Sequence, residues 1–113
     1  YIHTHGLLKH MITLYRERRV SSLRELRKLI EGLDLDEGIR IEGNIPDFSK
    51  GGFIFVTRHG GSYCINLCDQ IFDENLKANV PGGRETWLYA SNPEKVWMII
   101  KTRAKRPLKA WLY

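Results

Sequence analysis

The sequence predicts an α+β domain in which two N-terminal helices pack on one face of an antiparallel sheet of about five strands built from hairpins. Three observations lead to this prediction. Apolar residues recur at helical spacing in the first third of the chain, the spacing changes to two after Gly38, and turn signals then separate β-branched and aromatic stretches. The 113 residues suit a single α+β domain over residues 1–113, with the basic segment 101–113 able to continue further.

The first helix is predicted over residues 6–18, where one apolar stripe contains Leu7, Leu8, Met11, Leu14 and Tyr15. A second helix is predicted to begin at Ser22, because Glu25 follows three residues later in the capping-box pattern. Its apolar stripe contains Leu23, Leu26, Leu29, Ile30 and Leu33, and we expect the helix to end at Gly32. We expect the two helices to cover one face of the sheet.

The next elements are a short strand around Ile39 and Ile41, a loop over 44–52, and a hairpin. The hairpin joins 53–57 to 62–67 through a turn at 58–61. Pairing Thr57 with Ser62 places an ordinary core set on one face, namely Ile54, Val56, Tyr63, Ile65 and Leu67. The other face then carries two aromatic rings among smaller polar side chains, namely Phe53, Phe55, Thr57, Ser62, Cys64 and Asn66.

The last third of the chain predicts a second hairpin. Residues 68–83 leave two readings open, a short helix after Asp69 or a strand that runs on to Phe72. Strands over 86–90 and 95–100 are then expected to flank a turn at 91–94. This register places Trp97 beside the aromatic residues of the first hairpin, and a slip of one residue presents Trp87 and Tyr89 instead.

Charge favours a polyanionic partner. The formal net charge is +5, and cations crowd both ends of the chain while acids collect between Glu31 and Asp47. No apolar run approaches the roughly 20 residues of a membrane span, so no membrane partner is expected. The two cysteines are too close along one strand to bond each other, and a reducing, cytoplasmic (intracellular) setting is expected.

Aromatic rings flanked by cations are suited to single-stranded DNA or RNA, because bases stack on rings while cations bind phosphates. We expect low sequence specificity, with bases stacking on Phe53, Phe55 and Trp97, and phosphates held by Arg58, Lys95, Lys101, Arg103, Lys105 and Arg106. One alternative is that residues 68–83, the C-terminal segment or a partner subunit covers this face. The alternative function is a dimerisation or protein-interaction module that uses the aromatic face, with a possible homodimer as the assembly.

Catalysis is not expected, because the sequence contains no evident nucleophile–base pair or phosphate loop. No cofactor and no metal are expected either: His3 and His5 fit two terminal histidines, and His59, Cys64 and Cys68 lack zinc-knuckle spacing and a fourth ligand. The enzymatic alternative is a small metal-independent ribonuclease that uses His59 as general base or acid. Duplex-specific binding is disfavoured, since no recognition helix is predicted after the second helix.

Overall fold

A computed structural model describes residues 18–46, 48 and 51–113, and omits the side chains of residues 43, 44, 106 and 107. These residues form eight elements, which are β1 (Arg18–Arg19), α1 (Leu23–Glu31), β2 (Gly38–Asn44), β3 (Gly52–His59), β4 (Ser62–Asp73), β5 (Ala78–Ala90), α2 (Pro93–Arg103) and β6 (Lys105–Leu112). The strands form one sheet in the order β1-β6-β2-β3-β4-β5, and every neighbouring pair is antiparallel. Strands β2 to β5 follow one another as a meander, and β6 returns to lie between β1 and β2.

The prediction of two N-terminal helices on a sheet of about five strands is wrong. One described helix, α1, precedes β2, whereas the other, α2, follows β5, and the sheet has six strands. The predicted helix over 6–18 lies outside the described residues except for Arg18, which belongs to β1. The helix expected after Ser22 is confirmed as α1: the Ser22 side chain accepts a hydrogen bond from the Glu25 backbone N at 3.1 Å, and Gly32 caps the other end.

Residues 95–100, predicted to be a strand, belong to α2 instead. The sequence does contain a helix start, because the Asn92 side chain accepts from the Lys95 backbone N at 2.9 Å and Pro93 occupies the first turn. Val96 and Ile100, spaced four apart, are both fully buried, as one stripe of a helix requires. A short apolar run does not distinguish a buried strand from a buried helix. The segment is helical because Val96 and Ile100 then lie on one side and pack together on the sheet.

The first hairpin has the predicted faces with a different turn. His59 pairs with Ser62 and Thr57 pairs with Cys64, so the loop contains two residues, Gly60 and Gly61, rather than four. Gly60 has φ of +61°, a conformation that glycine adopts without steric cost. Because the register differs from the predicted one by two residues, every side chain keeps its predicted face.

Both helices pack on the face of the sheet that was predicted to be its core face. Leu26 and Ile30 of α1 and Val96 and Ile100 of α2 belong to a single apolar cluster with the inward residues of the strands, among them Ile39, Ile41, Ile54, Val56, Ile65 and Leu67. At roughly 1.5–3 kcal/mol for each fully buried aliphatic side chain, this cluster is the main source of stability.

The remaining segments extend the sheet. Of the two readings for residues 68–83, the continuing strand is confirmed: β4 runs to Asp73 and pairs with β5 as far as the turn at 74–77. The C-terminal segment, predicted to be a basic tail, contains strand β6, which is paired to β2 from Leu112 opposite Ile39 to Lys105 opposite Asn44. Trp111 therefore enters the sheet through a pairing that joins residues some seventy positions apart.

Candidate functional site

The face of the sheet opposite the helices is the candidate site, and we call it the aromatic face. Its central row crosses all six strands through directly opposed residues, in the order Arg19, Trp111, Arg40, Phe55, Asn66 and Trp87. Neighbouring strands lie about 4.8 Å apart, so Trp111, Phe55 and Trp87 are spaced at intervals of about 10 Å. Cationic and aromatic side chains thus alternate over the first four strands of this row.

A second row lies beside the central one and contains two tyrosines. It runs from Tyr113 through Gly38, Thr57 and Cys64 to Tyr89. Gly38 and Tyr113 exchange two backbone hydrogen bonds of 2.9 Å each. A Cβ atom on Gly38 would overlap the Tyr113 ring, so the lack of a side chain at Gly38 leaves room for this ring on the sheet.

Burial divides the aromatic face into a closed centre and an accessible margin. Phe53 is 2% exposed, and its ring stacks on that of Phe55 with centroids 6.1 Å apart. Phe55 and Trp111 are half-buried, whereas Trp87 is 42% and Tyr89 69% exposed on the edge strand β5. The rings open to a ligand are therefore chiefly those of β5.

The Trp111 ring has two guanidinium groups close to its centre. The Cζ atom of Arg40 lies 4.1 Å from the ring centroid, and that of Arg19 lies 5.0 Å away. Cation–π contacts of this kind contribute about 0.5–1 kcal/mol when exposed and more when desolvated. Arg40 is buried and also bonds to Glu42, whereas Arg19 and Lys109 are exposed on the same face.

Three buried polar groups lie at the closed centre. Burial raises the pKa of the Cys64 thiol, and burial together with the neighbouring Glu85 carboxylate raises that of Cys68 to about 12. Both thiols are free, and both are neutral at physiological pH. Asn66 is also buried, and its Nδ2 atom has no hydrogen-bond acceptor among the described residues.

Of the nine residues predicted to bind nucleic acid, Phe53 and Phe55 lie on the expected face. Arg58 does not, because its side chain extends from the opposite face. Its Nη1 donates to the Leu33 backbone O at 3.0 Å, its Nε donates to the Gly60 backbone O at 3.1 Å, and its guanidinium lies 5.5 Å from the Tyr63 ring centroid. Arg58 therefore links the β3–β4 turn to the segment after α1, and its predicted role as a phosphate ligand stays a prediction.

Five of the other six predicted residues lie away from the aromatic face, on α2 or at the start of β6. Lys95, Trp97, Lys101 and Arg103 belong to α2, on the helix side of the sheet, and Trp97 is half-buried against the core cluster. Lys105 begins β6 and lines a cavity with Trp97 and Lys101. Arg106 also belongs to β6, and its side chain is outside the description. Placing Trp97 on the sheet face was wrong because the segment is helical.

Sequence reasoning missed Arg19, Arg40, Trp87, Tyr89 and Trp111 as members of this face. The alternation of residues 86–90 did carry the signal for Trp87 and Tyr89, and the pairing of β5 with β4 brings both residues to this face. Trp111 and Arg40 had no comparable signal, since their contact depends on the pairing of β6 with β2.

Of the residues considered for other chemistry, Cys64 and Cys68 belong to the closed centre described above. His59 is exposed at the end of β3, while His3 and His5 are not among the described residues. Within residues 18–46, 48 and 51–113, no group of three His, Cys, Asp or Glu side chains could hold a metal ion. Neither of the helices described here has the length and apolar character needed to cross a membrane.

Comparison of this chain with protein-family models, with curated proteins and with solved structures found no significant match. The geometry of the aromatic face and the charges around it are therefore the features that indicate what this protein binds.

Proposed function

We propose that this protein binds single-stranded nucleic acid, DNA or RNA, across the aromatic face of its sheet. The observation that carries the proposal is the central row, in which three aromatic residues alternate with cations or an amide across six strands. A flat sheet surface with several rings is suited to unpaired bases, because every base has a π-face that can stack.

Base stacking is expected chiefly on Trp87 and Tyr89. These rings are the most exposed on the aromatic face, so they need little desolvation of neighbours and no movement of the core. Phe55 and Trp111 are half-buried and extend the platform toward β1. Stacking contributes about 1–3 kcal/mol per base and depends little on base identity, which accords with low sequence specificity.

Phosphate contacts are expected from Arg19 and Lys109, which are exposed on the same face near Trp111. Arg40 is enclosed between Trp111 and Glu42. We therefore expect Arg40 to support binding by holding the Trp111 ring in position rather than by contacting a phosphate. A strand that stacks on Trp87 and continues toward Trp111 would follow the central row and end at these cations.

The test is a titration of labelled single-stranded DNA, single-stranded RNA and duplex DNA, followed by fluorescence anisotropy at several salt concentrations. We expect single strands to bind more tightly than duplex. Trp87→Ala and Tyr89→Ala should each weaken binding by about 1–3 kcal/mol. Lys109→Ala should weaken binding to all sequences and make the salt dependence shallower, because each phosphate contact releases counterions.

Two matched controls lie on the helix side of the sheet. Trp97→Ala removes an indole ring, as Trp87→Ala does, and Lys95→Ala removes an exposed cation, as Lys109→Ala does. Neither control should change affinity in a variant whose circular dichroism matches that of the parent. Preference of the parent for duplex, or loss of binding through the control substitutions alone, would refute the proposal.

The second candidate function is docking of a protein partner, and a separate observation favours it. The β4–β5 hairpin exposes three large apolar side chains near its turn: Ile71, Phe72 (61% exposed) and Leu76. Exposed apolar side chains beside an edge strand are typical of protein interaction surfaces. Phe72→Ser should abolish such an interaction while leaving oligonucleotide affinity unchanged.

A further inference from the structure

The helix side of the molecule contains a groove between α1 and α2. Two cavities of about 280 and 400 Å³ share Leu23 and Trp97 as lining residues, and Leu108 also lines the smaller one. A third cavity of about 500 Å³ continues from Leu23 toward β1 and β6. An apolar cavity of roughly 150 Å³ accommodates benzene, so the groove has room for a large apolar side chain.

The rim of this groove has five Lys or Arg side chains, of which Arg27 is paired with the Glu94 carboxylate at 3.5 Å. The smaller cavity is lined by Lys101 and Lys105, and its neighbour by Arg24, Arg27 and Lys28. Glu31 is the single carboxylate among the residues that line these two cavities. An apolar floor inside a cationic rim is complementary to an acidic segment that carries an exposed apolar side chain.

The chain itself contains such a segment, in the turn between α1 and β2. Leu35 is 67% exposed and is flanked by Asp34, Asp36 and Glu37. The Asp34 backbone N donates to Glu37 Oε1 at 3.0 Å, and the Glu37 backbone N donates to the Asp34 backbone O at 3.1 Å. This ordered turn would lose little conformational entropy on binding.

We propose that the groove of one copy of this chain binds the acidic turn, residues 34–37, of a second copy. Leu35 would lie against Trp97, and the carboxylates would face the rim cations. The larger of the two cavities extends along α1 to Glu31, but Leu35 is 67% exposed and lines none of the three cavities. The Leu35 side chain therefore does not occupy the groove of its own molecule and is available to the groove of another.

This self-association is independent of the proposed nucleic-acid site, which lies on the opposite face of the sheet. Each copy presents both a turn and a groove, so a two-fold pair can form two such contacts at once. The interface is small and charged, so association should be weak and sensitive to salt. A polynucleotide would also be attracted to the cations, but the apolar floor favours a segment with an apolar anchor.

Sedimentation equilibrium of the full chain over a range of protein concentrations tests the proposal. The average mass should rise above 13.2 kDa with concentration, and less so when the salt concentration is raised from about 0.1 to 1 M, which shortens the Debye length from about 10 to 3 Å. Leu35→Asp alone and the pair Lys101→Glu with Lys105→Glu should each remain monomeric. A mixture of these two variants should associate again, because it contains one intact turn and one intact groove.

Met98→Asp is the matched control, since it also replaces an exposed apolar side chain by Asp, and Met98 lines none of the three cavities. This variant should associate like the parent. A parent that stays monomeric throughout, unchanged association of Leu35→Asp, or loss of association in Met98→Asp alone would overturn the proposal. Monomeric parent protein whose oligonucleotide binding is lost in the Lys101→Glu, Lys105→Glu variant would overturn it in favour of a nucleic-acid site in the groove.

Discussion

Replacing Arg58 by Met tests whether this residue supports the fold or binds phosphate. Its Nη1 bond to the Leu33 backbone O is partly buried, and a hydrogen bond from a charged donor contributes about 1.5–3 kcal/mol. The bond to Gly60 is exposed and contributes less, and the contact with the Tyr63 ring adds about 0.5–1 kcal/mol. We therefore expect Arg58→Met to lower the free energy of unfolding by about 2–4 kcal/mol.

Urea denaturation followed by far-ultraviolet circular dichroism measures this loss. With a slope of about 2 kcal/mol per molar urea, the midpoint should fall by roughly 1–2 M without a change in slope. Arg58→Lys should recover little of the loss, because an ammonium group cannot reproduce the donor geometry of guanidinium. Lys95→Met, which removes an exposed cation, should change the stability by less than about 0.5 kcal/mol.

Oligonucleotide binding by the same variants tests the other possibility, that Arg58 binds phosphate. Where Arg58→Met remains folded, its affinity and salt dependence should equal those of the parent, because Arg58 extends from the face opposite the aromatic one. A variant as stable as the parent, with weaker binding and a shallower salt dependence, would refute the structural role and restore the phosphate role.

Three further predictions concern the helix cap, a glycine and a thiol. Asn92→Ala should lower the free energy of unfolding by about 0.5–2 kcal/mol, because the cap of α2 is lost; unchanged stability would contradict helical structure after Asn92. Gly52→Ala should cost at least about 1–3 kcal/mol, since the new Cβ would lie 2.5 Å from the Cys68 backbone O. Gly61→Ala, with nothing within 4 Å, should cost less than about 0.5 kcal/mol, and similar losses for both glycines would contradict this steric argument. Between pH 9 and 12 the Cys68 thiol is ionised in the unfolded chain and neutral in the folded one, so the unfolded state binds fewer protons and stability falls as pH rises. Cys68→Ala should reduce that fall by up to about 1.4 kcal/mol per pH unit in urea denaturation series, and an unchanged slope would contradict the raised pKa.

Local patterns in the sequence were enough to predict the helix at residues 23–31 and the faces of the first hairpin. Ser22 and Glu25 are only three residues apart, so the capping hydrogen bond that begins α1 can be predicted from the local sequence. Side chains alternate along a strand with a period of two, so Phe53 and Phe55 share one face in any register. Because the register error was even, the residues of β4 on that face were also predicted correctly.

The secondary structure and pairing of residues 93–112 depended on contacts between residues that are distant in the sequence. A run of apolar residues from Val96 to Ile100 fits a strand or a helix equally well, and burial of Val96 and Ile100 against the sheet favours the helix. Helix α2 connects β5, at one edge of the sheet, to β6, which pairs with β2 near the other edge. That long-range pairing brings Trp111 beside Arg40 and completes the central row of the aromatic face, which no local periodicity in the sequence could specify.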